Sequence, residues 1–331
     1  MSNFSGCRKD VEFSVVLATY NGEKYLLEQL KSINDQSCSP KELIVVDDGS
    51  SDNTVDLIEE FPWKESIDVR VYRNGENIGF RKNFIKGASF AKYDWICFSD
   101  QDDVWCSRKL ETISDYIKTY GESFDLFFHD FQLLGESGNH ASNLKNEVLY
   151  TAGEFDIWRT IPGMAICFSK RLKKYFEYQS DLVDLTDCDS QISHDQLVVQ
   201  FANMKSGIVE LKESLIKYRR HDATTSQFMK SRRRKSLKEL DYGLLIRKSL
   251  FCEKFILCVG DDPDLTVSKY REFHSNFQGY RILCFDTGVG LAVSNFLTNF
   301  FSGIYCYFGA KEFFKDLVNI MFLRITPKSG G

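Results

Sequence analysis

Over about the first 120 residues, short apolar runs alternate with amphipathic stretches. The apolar runs include Phe13 to Thr19, Leu43 to Val46 and Trp95 to Phe98. Between them, apolar residues recur at helical spacing, as from Lys24 to Asn34 and from Phe80 to Ala91. Continuous apolar strands separated by amphipathic helices are typical of a parallel sheet that is covered on both faces. The sequence therefore predicts an α/β fold with a Rossmann-like, mostly parallel sheet flanked by helices.

The chain beyond Phe124 is less regular, but further elements can be placed in it. Apolar runs predict strands at Leu126 to Phe128, Met164 to Phe168 and Leu215 to Tyr218. The spacing of apolar residues predicts a helix from His194 to Met204. We expect these elements to complete the same sheet and its covering layers.

A basic, Phe-rich segment follows the α/β body. The run Lys230 to Lys235 marks a boundary between a first domain, residues 1–228, and a mainly helical appendage, residues 229–331. Residues 226–331 hold 16 Lys and Arg against 10 Asp and Glu, and 13 of the 28 Phe, although the whole chain has a net charge of −5. A basic and aromatic composition favours peripheral contact with an anionic membrane surface, so we expect no nucleic-acid partner.

Three features bear on the location of the protein. The segment Thr287 to Gly309 has 23 residues without a charge, enough to span a bilayer. Its Asn, Ser, Thr and Gly residues favour a buried or interfacial helical hairpin instead, and both alternatives stay open. Met1 to Phe13 lacks the apolar region of a secretory signal, and the ten Cys show no zinc-type spacing. We expect the cysteines to be ordinary thiols in a reducing cytoplasm. We expect the protein itself to lie at the inner face of the plasma membrane.

Polar clusters follow three of the predicted strands. They are Thr19-Tyr20-Asn21, Asp47-Asp48 and Asp100-Gln101-Asp102-Asp103. Because parallel strands of such a sheet end at the same edge, these clusters should meet there, and ligands of open α/β sheets bind at this edge. The three clusters together therefore predict a binding site at this edge of the sheet.

The acidic cluster points to a cation. Three carboxylates within four residues repel one another unless a cation or ligand compensates them. Carboxylates with open coordination positions suit Mg²⁺ or Mn²⁺ holding a diphosphate. The alternative is a solvated acidic turn that caps the helix beginning near Ser107. For Asp47 and Asp48, the alternatives are hydrogen bonds to a base or ribose and an ordinary Asp-Gly turn.

Four motifs, in order and at fitting distances, resemble those of the family-2 glycosyltransferases. They span Val15 to Gly22, Leu43 to Thr54, Asn77 to Asn83 and Phe98 to Trp105. The form Asp-Gln-Asp-Asp-Val-Trp is most similar to a rhamnosyltransferase-like subgroup of cell-surface polysaccharide biosynthesis. Weaker similarity extends to about residue 225. The resemblance implies the GT-A nucleotide-sugar fold and a nucleoside-diphosphate sugar as donor.

The resemblance also implies roles for the strand-end residues. The donor would contact the residues that follow the first two strands, namely Thr19, Tyr20, Asn21, Asp47 and Asp48. Arg81, which follows the Asn-x-Gly segment, would reach its base or phosphates. Asp100 would approach the ribose or the metal. Asp102 would be the principal ligand of Mn²⁺ or Mg²⁺, with Asp103 beside it.

A catalytic base is implied at Ser193-His194-Asp195-Gln196. The family has an Asp in a Glu-Asp pair at a helix start, so Asp195 would deprotonate the acceptor hydroxyl. His194 stands in place of the Glu, next to the substrate. The alternative is that Asp195 is a helix N-terminal charge and Ser193 a cap.

Further residues are implied in the second half of the body. His221 resembles a family His that faces the metal and diphosphate, so it would be a third metal ligand beside Asp102 and Asp103. Arg219 or Arg220 would balance phosphate charge. The alternative for this segment is a basic surface loop. Asp130 lies at a strand end and would line the donor site. The turn Ile161 to Met164 lies where relatives place an acceptor-side turn, although Met164 departs from the polar residue usual there.

The sequence therefore predicts an inverting, metal-dependent glycosyltransferase. Its acceptor would be a glycan or lipid-linked glycan in cell-surface polysaccharide synthesis of the O-antigen or capsule type. Two alternatives stay open: a sugar-nucleotidyl transferase, and a GT-A-like module that binds a nucleotide or glycan without turnover. A dinucleotide enzyme is disfavoured, since Asn21-Gly22-Glu23 offers a single Gly where a GxGxxG would stand, and the chain has no P-loop.

Overall fold

The structure is a computed structural model. It describes residues 10–135, 147–156, 159–178 and 193–221, together with 255–257, 259, 262–267 and 270–271. The structural statements below concern these residues. Most of the basic, Phe-rich appendage lies outside them, as does the uncharged stretch 287–309 with its membrane alternatives.

Four parallel strands form the first half of the sheet. They are β1 (Phe13–Thr19), β2 (Glu42–Asp47), β3 (Asp68–Arg73) and β4 (Trp95–Ser99), in the spatial order β3-β2-β1-β4. Every residue of β2 and β4 is buried, which is the burial expected for strands covered on both faces. The prediction of an α/β sheet with parallel strands is confirmed for this half of the molecule.

The second half of the sheet is mixed. It contains β5 (Val104–Trp105), β6 (Leu126–Leu133), β7 (Glu147–Tyr150), β8 (Ile166–Ser169) and β9 (Ile208–Tyr218). Strand β8 is antiparallel to both β4 and β6, β6 is parallel to β9, and β9 is antiparallel to β5 and β7. The register joins the start of β8 to the end of β4, so the chain enters β8 from the edge at which β4 ends. The sheet is thus less parallel than its apolar runs predict.

Five α-helices are present in the described part of the chain. They are α1 (Glu23–Asn34), α2 (Thr54–Glu59), α3 (Phe80–Ser89), α4 (Lys109–Tyr120) and α5 (His194–Lys205). Helix α1 buries Leu26, Leu30 and Ile33, which recur at helical spacing along its sequence. Helix α3 approaches the sheet so closely that a Cβ atom on Gly87 would lie only 2.5 Å from a methyl group of Val16.

The core lies between the sheet and these helices. Residues of adjoining strands and helices form one buried apolar cluster, which includes Val15, Leu43, Cys97, Leu110 and Phe127. The cysteines described, Cys38, Cys97, Cys106 and Cys167, are free thiols. Because the cluster fixes the strands in register, it fixes which strand ends meet at the edge of the sheet.

The C-terminal unit is described only in part. Residues 255–257 form a helical turn, and the rings of Phe255 and Tyr270 stack with centroids 6.0 Å apart. Among the helices that the structure describes, none combines the length and the apolar character needed to cross a membrane.

Candidate active site

The ends of β1 and β2 form the first part of the site. Thr19 and Asp47 are partners in the parallel register, and the Thr19 hydroxyl donates to Asp47 Oδ2 over 3.1 Å. The backbone N–H of Ser50 donates to Asp47 Oδ1 over 2.9 Å, and the Ser50 hydroxyl also contacts this carboxylate. All three side chains are buried. The Asp47 carboxylate is thereby held in one orientation at the sheet edge.

The turn after β1 is tied to the acidic cluster. Tyr20 N–H donates to Gln101 Oε1 over 2.9 Å, and Gln101 Nε2 donates to the Tyr20 carbonyl over 3.1 Å. Asn21 has a positive φ of 46°, and its side-chain oxygen accepts a hydrogen bond from Ser51 N–H over 2.9 Å. The Tyr20 side chain remains 47% exposed beside this turn. The sequence motifs at the ends of β1 and β4 are thus in direct contact.

Asp48 holds a loop instead of facing an open surface. Its Oδ1 accepts hydrogen bonds from Asn74 Nδ2 and Ile78 N–H, and its Oδ2 accepts one from Gly79 N–H, all within 2.9 Å. Asp48 is buried, and Gly79 has a φ of +85° immediately before α3. These bonds fix the start of α3, which carries Arg81.

His194 is buried in an aromatic cluster at the start of α5. Its ring stacks on Phe84 with centroids 4.2 Å apart and meets the edge of Phe98 at 5.0 Å. A Cβ on Gly163 would lie 2.5 Å from His194 Nε2. Neither ring nitrogen has a hydrogen-bond partner among the described residues. Burial lowers the pKa of His194 to about 4, so the ring is neutral at physiological pH, and the Arg81 charge acts in the same direction.

Asp195 lies in the first turn of α5, where a carboxylate is favoured by the helix dipole. Its Oδ1 accepts hydrogen bonds from the Ser193 hydroxyl and, over 2.7 Å, from Gln196 N–H. Its charge also contributes to the raised pKa of Asp100. The residue expected to act as base is therefore within electrostatic reach of the acidic cluster.

The three carboxylates of the acidic cluster differ in their surroundings. Burial and then the charges of Asp103 and Asp102 raise the pKa of Asp100 well above its usual range. Asp103 is fully buried, and burial with the Asp102 charge raises its pKa to about 7. Asp103 Oδ1 accepts a hydrogen bond from Arg219 N–H over 3.1 Å, whereas its Oδ2 has no partner in the part of the chain described. The cluster carries the mutual repulsion expected of a site for a cation.

The segment after β9 completes the arrangement. His221 Nε2 lies 2.7 Å from Asp102 Oδ2, and both side chains are less than one-fifth exposed. Arg219 Nε donates to the Asp102 carbonyl over 2.9 Å. The guanidinium of Arg219 also bonds to Glu28 over 2.8 Å and lies 4.6 Å above the Tyr25 ring. This segment is therefore docked on the acidic cluster.

Asp130 lies apart from this arrangement. It is exposed on β6, where the register to β9 is irregular. Partial burial of its carboxyl group raises the pKa of Asp130, and the charges that act on it belong to Lys212, Glu210 and Arg159. In the part of the chain described, no hydrogen bond or ion pair of its side chain reaches the other residues expected in the site.

A buried lysine was not anticipated from the sequence. Lys109, the first residue of α4, is fully buried, and its ammonium donates to the Met164 carbonyl over 2.9 Å and lies 3.6 Å above the Trp105 ring. Burial lowers its pKa to about 8. Its charge also acts on Asp103, so a fixed cation lies behind the acidic cluster. The only signal in the sequence is a Lys in the first turn of a helix, where the dipole disfavours it.

The side chains could hold a metal only together with other ligands. In the described ranges, no cluster of three or more His, Cys, Asp or Glu side chains has the arrangement of a metal site. Asp102 Oδ2 and His221 Nε2 are two adjacent ligand atoms of suitable type. Mg²⁺ is commonly bound by one or two carboxylates together with phosphate oxygens and water. The residues therefore fit a divalent cation that a diphosphate shares.

Comparisons with known proteins bear on the family and the fold of the chain. The sequence model of Glycosyl transferase family 2 matches residues 14–178. The dTDP-rhamnosyl transferase RfbG of Shigella flexneri is 28% identical over 217 residues, which cover 62% of this chain and 72% of that protein. An uncharacterized glycosyltransferase of Methanocaldococcus jannaschii is 30% identical over 214 residues, covering 62% of this chain and 70% of that protein.

Solved structures show the same fold. The crystal structure of S. aureus TarS 1–349 has a TM-score of 0.55 at 20% identity, covering 83% of this chain and 72% of that chain. Its complex with UDP-GlcNAc has a TM-score of 0.52 at 20% identity, with 83% and 73% covered. The nine-stranded sheet is thus the GT-A sheet, with helices on its faces. The chain belongs to glycosyltransferase family 2 and is a glycosyltransferase.

Proposed function

We propose that this glycosyltransferase transfers a sugar from a nucleoside-diphosphate sugar to a hydroxyl group of a glycan or lipid-linked glycan in cell-surface polysaccharide synthesis. The observation that carries the proposal is the contact of Asp102 with His221, 2.7 Å apart. Asp100, in the same acidic cluster, is within electrostatic reach of Asp195. Metal-type ligands and a carboxylate base are the two chemical functions that such a transfer requires.

The donor would bind at the ends of β1 and β2. The exposed ring of Tyr20 offers a surface on which a base can stack, and the fixed Asp47 carboxylate can accept a hydrogen bond from a base or ribose. Arg81, at the start of α3, supplies a positive charge for the base or phosphates. The names of the relatives support dTDP-rhamnose and UDP-GlcNAc as the first donors to try.

A divalent cation, Mn²⁺ or Mg²⁺, would be held by Asp102 and His221, with Asp100 and Asp103 adding negative charge around it. When bound, it would neutralise the charge that develops on the departing diphosphate. Arg220, which is exposed next to His221, is the candidate to balance further phosphate charge.

Asp195 would act as the general base. Its carboxylate takes the proton of the acceptor hydroxyl while the acceptor oxygen forms a bond to the anomeric carbon. The bond from that carbon to the diphosphate oxygen breaks on the opposite face, so the configuration inverts. The His194 ring, next in the chain, is neutral and therefore adds no positive charge of its own beside the Asp195 carboxylate.

A donor screen tests the proposal. The full-length protein is incubated with dTDP-, UDP- and GDP-sugars and Mn²⁺, and release of nucleoside diphosphate is measured with and without EDTA. We expect release from one nucleotide class and its loss in EDTA. Metal-dependent binding of a nucleotide without release from any donor, with lipid-linked glycans added as acceptors, would favour the non-enzymatic alternative. A release of inorganic pyrophosphate on incubation of a sugar 1-phosphate with a nucleoside triphosphate would favour a nucleotidyl transferase.

We further propose that residues 229–331 bring the enzyme to the cytoplasmic face of the plasma membrane, near a lipid-linked acceptor. The support is their basic and Phe-rich composition. The full-length protein should float with vesicles containing phosphatidylglycerol. Replacing Arg232, Arg233, Arg234 and Lys235 by Gln should reduce flotation. Flotation that is absent, or that the replacement does not change, would contradict a basic anchor.

A further inference from the structure

Two residues of α1 contact the segment that carries His221. Tyr25 and Glu28 lie three positions apart, so they share one face of the helix. The guanidinium of Arg219 lies 4.6 Å above the Tyr25 ring and bonds to Glu28 Oε2 over 2.8 Å. The His221 ring lies against the same Tyr25 ring, with centroids 4.9 Å apart. Arg219 and His221 therefore both pack against the same face of α1.

The same segment is bonded to the acidic cluster on its other side. Arg219 N–H donates to Asp103 Oδ1, Arg219 Nε donates to the Asp102 carbonyl, and His221 Nε2 contacts Asp102 Oδ2. Arg219 is only 15% exposed, so its guanidinium is largely enclosed between α1 and the cluster. The segment is held between two partners, and only the second partner belongs to the expected metal and diphosphate site.

From this geometry we propose that Tyr25 and Glu28 are positioning residues. They hold the Arg219 side chain and thereby place His221 against Asp102. The proposal rests on the proposed function insofar as the His221–Asp102 pair serves a metal and diphosphate. It assigns Arg219 to holding the segment and leaves phosphate contact to other groups. Tyr25 and Glu28 would act through Arg219 and not by contact with the substrate.

Hydrogen exchange tests whether Tyr25 and Glu28 hold the Arg219 segment, and it does not depend on enzymatic activity. The backbone N–H of Arg219 is the reporter, because its bond to Asp103 lasts only while the segment is docked. Y25L and E28Q should each speed its exchange about three-fold, in line with one cation–π contact or one partly exposed ion pair. Y25F keeps the ring and should retain the slow exchange. K31Q removes the ion pair of Lys31 with Asp35 on the same helix and serves as the matched control.

A double-mutant cycle tests whether the effect passes through His221. Affinity for dTDP and UDP is measured with Mn²⁺ present. E28Q should weaken binding about three-fold in the natural sequence and not at all in an H221A background, because residues in one network do not act additively. Equal losses in both backgrounds, or unchanged Arg219 exchange in Y25L and E28Q, would overturn the proposal. GDP is titrated as well, and if none of the three nucleotides binds the unaltered protein, the proposed function fails, while the exchange data still decide whether α1 holds the segment.

Discussion

His221 Nε2 lies 2.7 Å from Asp102 Oδ2, although 119 positions separate the two residues in the chain. The antiparallel pairing of β5 with β9 explains the contact. Val104 is the register partner of Lys217, so the residues just before β5 meet those just after β9. The acidic cluster and the His221 segment are thus brought together by the sheet, and their relative position depends on that pairing.

Replacing Asp102 by Asn should weaken nucleoside-diphosphate binding in the presence of Mn²⁺ by on the order of 100-fold. The amide keeps the shape of the side chain but removes the charge and one ligand oxygen. Calorimetric titration of dTDP and UDP, with Mn²⁺ and with EDTA, measures the effect. D56N, which removes an exposed carboxylate from α2, is the control. If D102N binds as tightly as the unaltered protein and remains sensitive to EDTA, Asp102 is not the principal metal ligand.

Replacing Asp195 by Asn should lower kcat by roughly 10²- to 10⁴-fold, because an amide cannot accept the proton of the acceptor hydroxyl. The amide oxygen can still accept the hydrogen bond from Gln196 N–H, so the start of α5 should be retained. Donor affinity should change little. Rates of sugar transfer and nucleotide affinity are measured side by side, and transfer that survives in D195N would show that another group is the base.

Replacing Asp48 by Asn should destabilise the protein by about 1–3 kcal/mol. In the wild-type protein, the backbone N–H groups of Ile78 and Gly79 donate to the two carboxylate oxygens of Asp48. In the variant, one of these oxygens is an NH₂ group, which cannot accept a hydrogen bond from the N–H group that faces it. Urea unfolding measures the loss, and hydrogen exchange should rise first at Ile78 and Gly79. D52N, which alters a half-buried carboxylate near α2, provides the comparison. A D48N protein of unchanged stability but poor nucleotide affinity would instead support direct contact of Asp48 with the donor.

The strand-end clusters could be predicted, because their positions follow from short stretches of sequence alone. Thr19 and Asp47 end adjacent parallel strands, so apolar runs and polar residues after them suffice to bring the two together. Asp48 shows the limit of that reasoning. Consecutive residues of an extended chain point to opposite sides, so Asp47 bonds to Thr19 while Asp48 bonds to the loop before α3. Adjacency in the sequence therefore does not imply a shared role.

Other features depend on the tertiary structure alone. The direction of β8 cannot be read from its apolar run, which fits a parallel or an antiparallel strand equally well. The bond between Glu28 and Arg219 joins residues 191 positions apart. Lys109 contradicts two local rules, since charged side chains are rarely buried and cations are disfavoured at helix N-termini. Such positions are expected to be functional, because a local cost persists when the surrounding structure compensates it.

Replacing His194 by Phe should make the free energy of unfolding less dependent on pH below neutrality. The pKa of His194 is about 4 in the folded protein, because burial disfavours the charged ring, whereas an unfolded His has a pKa of about 6.5. Between these values the unfolded chain binds a proton that the folded chain does not. His194 therefore contributes stability above pH of about 6.5, which is lost as the pH falls toward 4. The loss between pH 7 and pH 5 should be about 2 kcal/mol.

Urea unfolding of the unaltered protein and of H194F, at pH 7 and at pH 5, isolates this contribution. Phe keeps an aromatic ring beside Phe84 and Phe98 and carries no titrating group. His129 is also buried, and burial lowers its pKa as well, but it is present in both proteins and cancels in the difference. H194F should lose about 2 kcal/mol less than the unaltered protein between the two pH values. Parallel losses in both proteins would mean that His194 finds a hydrogen-bond partner that keeps its charged form stable in the folded state.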